Sequence, residues 1–313
     1  MIAVVLALSG LGLLALPAWA RPAGRRLPPS EWSRLAATAL VGGALAVETG
    51  LVLLAAPTVL RAARVPTLAA ACERMLGHLS PGGPTVGWIT GAAAIAIAVM
   101  AARGILRAHG TYRAVRVERW VGKHETRSNY ELVVVPSPHL LAVSVAGRQP
   151  QVIVSTGLIE TLLPEELEAV VRHECAHLDR RHQRYLLLAR AVDAGFRFLP
   201  FVRRSTAAVR IGLERWADEV AAGETAEGRQ TVREALLMTT AAVVGSELAA
   251  FSAAESVIER LEALDVTPAE HSLVRRSAVY LPAIALGLVA TMAMVAWLLD
   301  ARMVVAMTGL CAA

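Results

Sequence analysis

Charge is what this 313-residue chain has least of. Asp, Glu, Lys and Arg make up 18% of it, against about 25% in soluble domains, while hydrophobic residues reach 55% and mean hydropathy is +0.51. That balance excludes a disordered chain. Cysteine is also scarce: Cys72, Cys175 and Cys311 show no paired spacing, so neither a disulfide scaffold nor a cysteine metal site is expected. The shortage of charge is uneven. Residues 103–277 hold 45 of the 57 charged residues, while the other 138 residues hold only 12. The central segment thus has the charge density of a globular domain, about a quarter of its residues. A simple soluble enzyme is excluded; a soluble-type domain set between membrane segments is expected.

The net charge of +5 and the pI near 9.6 hint at nucleic acid, but the surplus lies in the wrong place. The central segment carries 23 basic and 22 acidic residues, the flanks 8 and 4. Charge in short loops beside apolar runs orients a chain in a bilayer. With no basic stripe in the centre, no direct nucleic-acid partner is expected.

Four runs have the length for a membrane helix, about 17–25 residues: 1–20, 35–60, 85–102 and 278–299. The first ends in Pro17-Ala18-Trp19-Ala20, which superficially resembles a signal-peptide cleavage site. No Lys or Arg precedes Arg21, however, and a signal peptide needs a positive leading region. The run therefore reads as a first transmembrane helix followed by the inner charges Arg21, Arg25, Arg26 and Arg34. Both termini then lie outside and the central segment lies inside. Glu48 interrupts the second run; the expectation is a protonated carboxyl bonded to a neighbour through Thr49 or Thr90.

Within 103–277, Glu131–Val135, 140–146 and Gln151–Ser155 are β-branched runs separated by proline and glycine, which predicts short antiparallel strands. Pro164 with Glu165 and Glu166 opens a helix expected to reach about Gln183. A second helix is expected over 207–222, stopped by Gly223, with two or three more between Arg229 and Val274.

The chemistry sits on the first of these helices. His173-Glu174-Cys175-Ala176-His177 matches H-E-x-x-H. Positions i and i+4 share a helical face, so both imidazoles can bind one zinc ion, with Glu174 placed as general base. Cys175 reads as a small packing residue. A catalytic zinc site needs a third protein ligand and an open position. The metzincin pattern fails, because Arg180 and Gln183 stand where it needs Gly and His; His182, one residue out of register, reads as solvated or as an outer residue of the site. Glu214 and Asp218, i and i+4 on the later helix, are the better pair: one carboxylate for the metal and one to orient a histidine.

The combination resembles the BlaR/MecR-type membrane metallopeptidases, bacterial gluzincins with a cytoplasmic zinc domain between the third and fourth transmembrane helices. The resemblance is carried by QVIVSTGLIETLLPEELEAVVRHECAHLDRRH (151–182) and LERWADEVAA (213–222), with 184–204 as a membrane-apposed linker. It implies one zinc per chain held by His173, His177 and Glu214, Glu174 as catalytic acid/base, and Asp218 as support. It further implies a mainly α membrane protein of four transmembrane helices with an inserted α+β gluzincin-type domain, in the bacterial plasma membrane. The division is then 1–102, three transmembrane helices; 103–277, the cytoplasmic zinc metallopeptidase domain; and 278–313, the fourth helix and a short outer tail. The implied partner is a cytoplasmic protein, a BlaI/MecI-like winged-helix repressor, besides the lipid bilayer itself.

Residues 300–313 are too few for the folded outer penicillin-binding sensor of that family, so the β-lactam input does not carry over. Strand 140–146 is a candidate to take substrate as an added strand, and Arg210, Arg215 and His139 all qualify as oxyanion partners. Two other readings compete: an HtpX-like quality-control protease and a non-catalytic membrane receptor or scaffold. The first calls for a membrane pair near or after the motif helix, and the nine charged residues following Asp179 within 178–213 leave no span there.

Overall fold

A computed structural model describes residues 2–65, 83–117, 123–127, 129–241 and 250–265, with helical fragments at 284–285 and 287–289. Most of the fourth expected span, 278–299, lies outside these residues, as do Cys72 and Cys311.

Three described helices are long and apolar enough to cross a membrane: α1 (Ile2–Trp19), α3 (Pro29–Ala62) and α4 (Gly83–Val117). A four-residue helix, α2 (Arg21–Gly24), joins the first two. At about 1.5 Å per residue, the 34 residues of α3 and the 35 of α4 overreach a hydrocarbon layer of about 30 Å. Set across such a layer, both helices would project beyond it, and α4 carries the chain from its apolar part through Arg103 and Arg107 without a break.

Small residues make the α1–α3 contact. A Cβ on Gly10 would lie 2.7 Å from the Gly43 carbonyl oxygen, and one on Gly50 would lie 2.7 Å from that of Ala3. Helices in lipid gain little from burying apolar surface and associate by close packing of this kind. Glu48, on α3, leaves its buried Oε2 without a hydrogen-bond partner among the described residues. The hydroxyls of Thr49 and Thr90 donate to carbonyls of their own helices, so the expected Glu48 bonds do not form.

The sheet has four strands, β1 (Lys123–Thr126), β2 (Glu131–Val135), β3 (Ala142–Val145) and β4 (Gln151–Ser155), in the order β1-β2-β4-β3. Two differences from the sequence reading appear. β1 is additional, and β2 pairs with β4 in parallel. The reason is topological. β4 turns back against β3 but inserts between it and β2, so it runs in the direction of β2. Alternation sends Val152 and Val154 to one face and Val133, Val135 and Ile153 to the other. At the end of β4, the buried Ser155 hydroxyl donates to the His139 carbonyl at 2.6 Å and accepts from the Leu141 and Leu158 amides. It thereby ties β3 to β4 and caps α5 (Thr156–Thr161).

Four longer helices complete the described domain: α6 (Pro164–Asp179), α7 (His182–Phe196), α8 (Pro200–Ala222) and α9 (Ala226–Ala241); α10 (Ala250–Asp265) follows. α6 packs on the sheet through Leu167, Val170, Val171 and Cys175. α8 begins seven residues earlier than expected and ends at Gly223, whose φ of +64° suits glycine.

α7 and α8 do not form a separate core. Val192, Phe196, Val202, Val209, Leu213 and Trp216 share one apolar cluster with Leu14, Trp32, Leu40, Val47 and Ile97 of the candidate membrane helices. Ser205 of α8 donates to the Leu14 carbonyl at 2.7 Å and accepts from the Ala18 amide at 3.2 Å. The expected linker at 184–204 is thus mostly α7, packed on α4 where Gly104 lets Ala194 approach.

Candidate metal centre

α6 is set by its ends. Pro164 occupies the first turn, where a missing N–H is harmless, and the Glu166 carboxylate accepts from the Leu163 amide at 2.8 Å. One face meets the sheet, and the other presents His173 and His177 to α8. The two Nε2 atoms lie 3.1 Å apart. Glu214 of α8 places Oε2 at 3.4 Å from His173 Nε2 and Oε1 at 3.7 Å from His177 Nε2. Three donors bound at 2.0–2.1 Å in a tetrahedral zinc site would be about 3.3 Å from one another. The two imidazole nitrogens come close to that value, each Glu214 oxygen approaches one of them, and one donor atom from each residue lies within 4.8 Å of the others, so the three residues could hold one ion.

Around this triad the imidazoles are held from behind. Asp218, buried on α8, sets Oδ1 2.9 Å from His173 Nδ1. Behind His177, the Nδ1 of His182 lies 3.1 Å from the Nδ1 of His177. Both histidines of the motif therefore keep Nε2 for the cluster and meet a partner through Nδ1, an arrangement that fixes ring orientation. Glu174 is half-buried, and its charge is felt at His177 and Arg260.

Arg260 of α10 was not among the residues singled out in the sequence. Its Nε and Nη2 donate to both Asp218 oxygens at 2.7 and 2.6 Å, and its Nη1 lies 3.6 Å from Glu214. This forked pairing suits a guanidinium and a carboxylate. It lies 42 residues beyond Asp218, and no short motif marks it; in sequence it is one arginine in a charged helix.

The electrostatics follow from these contacts. Burial works against charge on His173, but the hydrogen bonds it donates to Asp218 and Glu214 outweigh it and push the imidazole up to about 10. Burial pulls His177 below the usual histidine range, and with the neighbouring His177 it takes His182 down to about 3. Burial opposes ionisation of Glu214 and Asp218 too. His173 and Arg260 overcome it and hold both below the usual carboxylate range.

The remaining sequence candidates lie elsewhere. Arg215 is buried, but its Nη2 donates to the Arg25 carbonyl at 2.8 Å. Arg210 and His139 are exposed and make no described contact with the cluster. His182 is not solvated: it is 0% exposed. Cys175 faces the sheet cluster rather than the triad, and burial pushes its thiol up.

A chain with this geometry has recognisable relatives. Residues 114–239 match Peptidase family M48. That M48 stretch spans the sheet, the H-E-x-x-H helix, α7, α8 and nearly all of α9, and stops short of Arg260. The plastoglobule-localized metallopeptidase 48 of Arabidopsis thaliana, a chloroplastic protein by its name, is 35% identical over 65 residues, 21% of this chain and 19% of its own length. The chain thus spans about a fifth of the curated relative it matches. No solved structure matches.

Proposed function

We propose that this chain is an integral-membrane zinc metalloendopeptidase acting on a protein at the cytoplasmic face of the membrane. The observation that carries the reading is the convergence of two imidazole Nε2 atoms, 3.1 Å apart, with a carboxylate that sets one oxygen 3.4 Å from the first and the other 3.7 Å from the second. Two nitrogens and one oxygen are the ligand set of a hydrolytic zinc site, and three protein ligands leave the fourth position open. The M48 match over 114–239 supports the same chemistry.

Zinc held there would polarise a scissile carbonyl and acidify a water molecule. The protein's own part is proton movement and positioning. Glu174, one residue from His173, takes the proton from the attacking water and returns it to the leaving amine as the C–N bond breaks. Asp218 keeps His173 oriented, and Arg260 keeps Asp218 ionised. Ala142–Val145 is an outer strand of the sheet, a position that supports binding of an extended substrate as an added strand.

For the substrate, the resemblance of 151–182 and 213–222 to BlaR/MecR-type enzymes supports a winged-helix repressor. The fused core of α7 and α8 with the membrane helices supports the second reading, quality control of proteins presented at the membrane. Purified full-length protein is expected to hold one zinc per chain. A neighbouring winged-helix repressor, co-expressed, is expected to be cleaved by wild type and left intact by Glu174→Gln. Protein without stoichiometric zinc, or equal cleavage by Glu174→Gln, overturns the peptidase reading. A repressor intact under all conditions beside cleavage of membrane proteins selects quality control.

A further inference from the structure

His182 is a residue the motif does not require, placed where only an irregular backbone can put it. Had α6 continued to Gln183, residue 182 would stand about 7.5 Å along the axis from His177 and about 140° around it. The helix instead ends at Asp179. Arg181 adopts φ 55°, ψ 40°, a left-handed conformation disfavoured for residues other than glycine. His182 then starts α7 with its Nδ1 3.1 Å from the Nδ1 of His177. The ring is wholly buried, edge-on to His177 and 4.9 Å from the Trp216 ring.

Its other nitrogen exposes the reason. His182 Nε2 is buried without a hydrogen-bond partner among the described residues. A ring needed for packing alone would be more stable as phenylalanine, which leaves no orphan polar atom. The nitrogen that is used faces a candidate metal ligand. If His177 offers Nε2 to the cluster, its proton stands on Nδ1, and His182 Nδ1 accepts it. The proton of His182 must then sit on the orphaned Nε2. His173 has the matching arrangement with Asp218 as acceptor.

We propose that His182 is a positioning residue for His177, holding its ring and tautomer so that Nε2 faces the metal. This rests on the metal-site reading above. The acceptor is a neutral imidazole on one histidine and a carboxylate on the other. A carboxylate behind His177 as well would add negative charge to a pocket that already holds Glu174, Glu214 and Asp218.

The test compares two variants of the full-length protein in detergent or nanodiscs. His182→Gln offers an acceptor oxygen without the ring; His182→Phe offers a ring without the acceptor. Zn2+ affinity is measured by competition with a chromophoric chelator, and the visible bands of the Co2+-loaded protein report ligand geometry. Loss of an outer partner of a metal-bound histidine weakens binding about 10–100-fold. That loss, with shifted Co2+ bands, is expected for His182→Phe, while His182→Gln stays close to wild type. The proposal is overturned if His182→Phe binds metal as tightly as wild type, or if both variants lose affinity equally, which would make ring packing the cause. Failure of the wild type to bind metal would instead defeat the metal-site reading.

Discussion

Asp218 Oδ1 lies 2.9 Å from His173 Nδ1, and this contact decides which nitrogen of His173 is free. The carboxylate takes Nδ1, so Nε2 faces His177 and Glu214. Removing it with Asp218→Ala is expected to weaken zinc binding by about 10–100-fold. Asp218→Asn keeps an acceptor oxygen but loses the charge that pairs with Arg260, so an intermediate loss is expected. Chelator competition on the purified protein measures both, and affinity unchanged in Asp218→Ala would contradict the assignment.

The same contacts make metal binding a proton exchange. Without metal, His173 stays protonated up to about pH 10, because Asp218 and Glu214 hold its proton. A histidine that ligates zinc must be neutral. Between pH 7 and 9, each ion bound therefore displaces one proton from His173, and apparent affinity is expected to rise about tenfold per pH unit. The metal-free fold has the opposite dependence. A histidine raised from 6.5 contributes its full stability below pH 6.5 and loses it as pH approaches 10. Zinc titrations and metal-free melting curves from pH 6 to 10 should thus slope in opposite directions.

Glycine in the α1–α3 seam has a packing role that can be isolated. A Cβ on Gly43 would meet both the Gly10 carbonyl oxygen and the Leu14 amide nitrogen at 2.7 Å, while Gly42, next to it, has nothing within 4 Å. Gly43→Val is expected to push the helices apart and destabilise the protein by about 1–3 kcal/mol, the usual range for overpacking. Gly42→Ala should be neutral. Thermal melts in detergent separate the two, and equal melting temperatures would remove the seam from the account.

How far the sequence reaches depends on the range of each interaction. The His173–His177 pair and the Glu214–Asp218 pair are written as i, i+4 spacings, and local periodicity places each pair on one helical face. The strand runs are visible for the same reason. The parallel pairing of β2 with β4 is not, because it depends on which partner β4 joins after turning against β3. His182 looked out of register only on the assumption of a continuous helix. The left-handed Arg181 breaks that assumption, and no glycine marks the spot. Arg260 and the shared core of α7 and α8 with the membrane helices depend on contacts far apart in sequence, where a charged or amphipathic helix shows which face it buries but not its partner.

Glu259 and Arg260 are adjacent on α10 and serve opposite neighbours. Glu259, 5% exposed, accepts from Arg21 at 2.6 and 3.0 Å and from Arg25 at 3.0 Å, in the chain segment just after α1. Arg260 holds Asp218. One helical turn of α10 thus joins the end of the first membrane helix to the metal centre. Removing one partner of a buried ion pair strands the other charge and costs about 3–5 kcal/mol. Arg260→Met strips buried Asp218 of its guanidinium partner and leaves it only His173, so it is expected to lower both stability and zinc affinity. Glu259→Gln strands no acid and acts on the metal only through α10. Its expected signature is a lower melting temperature with a smaller loss of zinc affinity than Arg260→Met. If Glu259→Gln lowered affinity as much as Arg260→Met while melting like wild type, the two residues would not be acting through the stability of α10. Melting curves and zinc competition on the same preparations decide it.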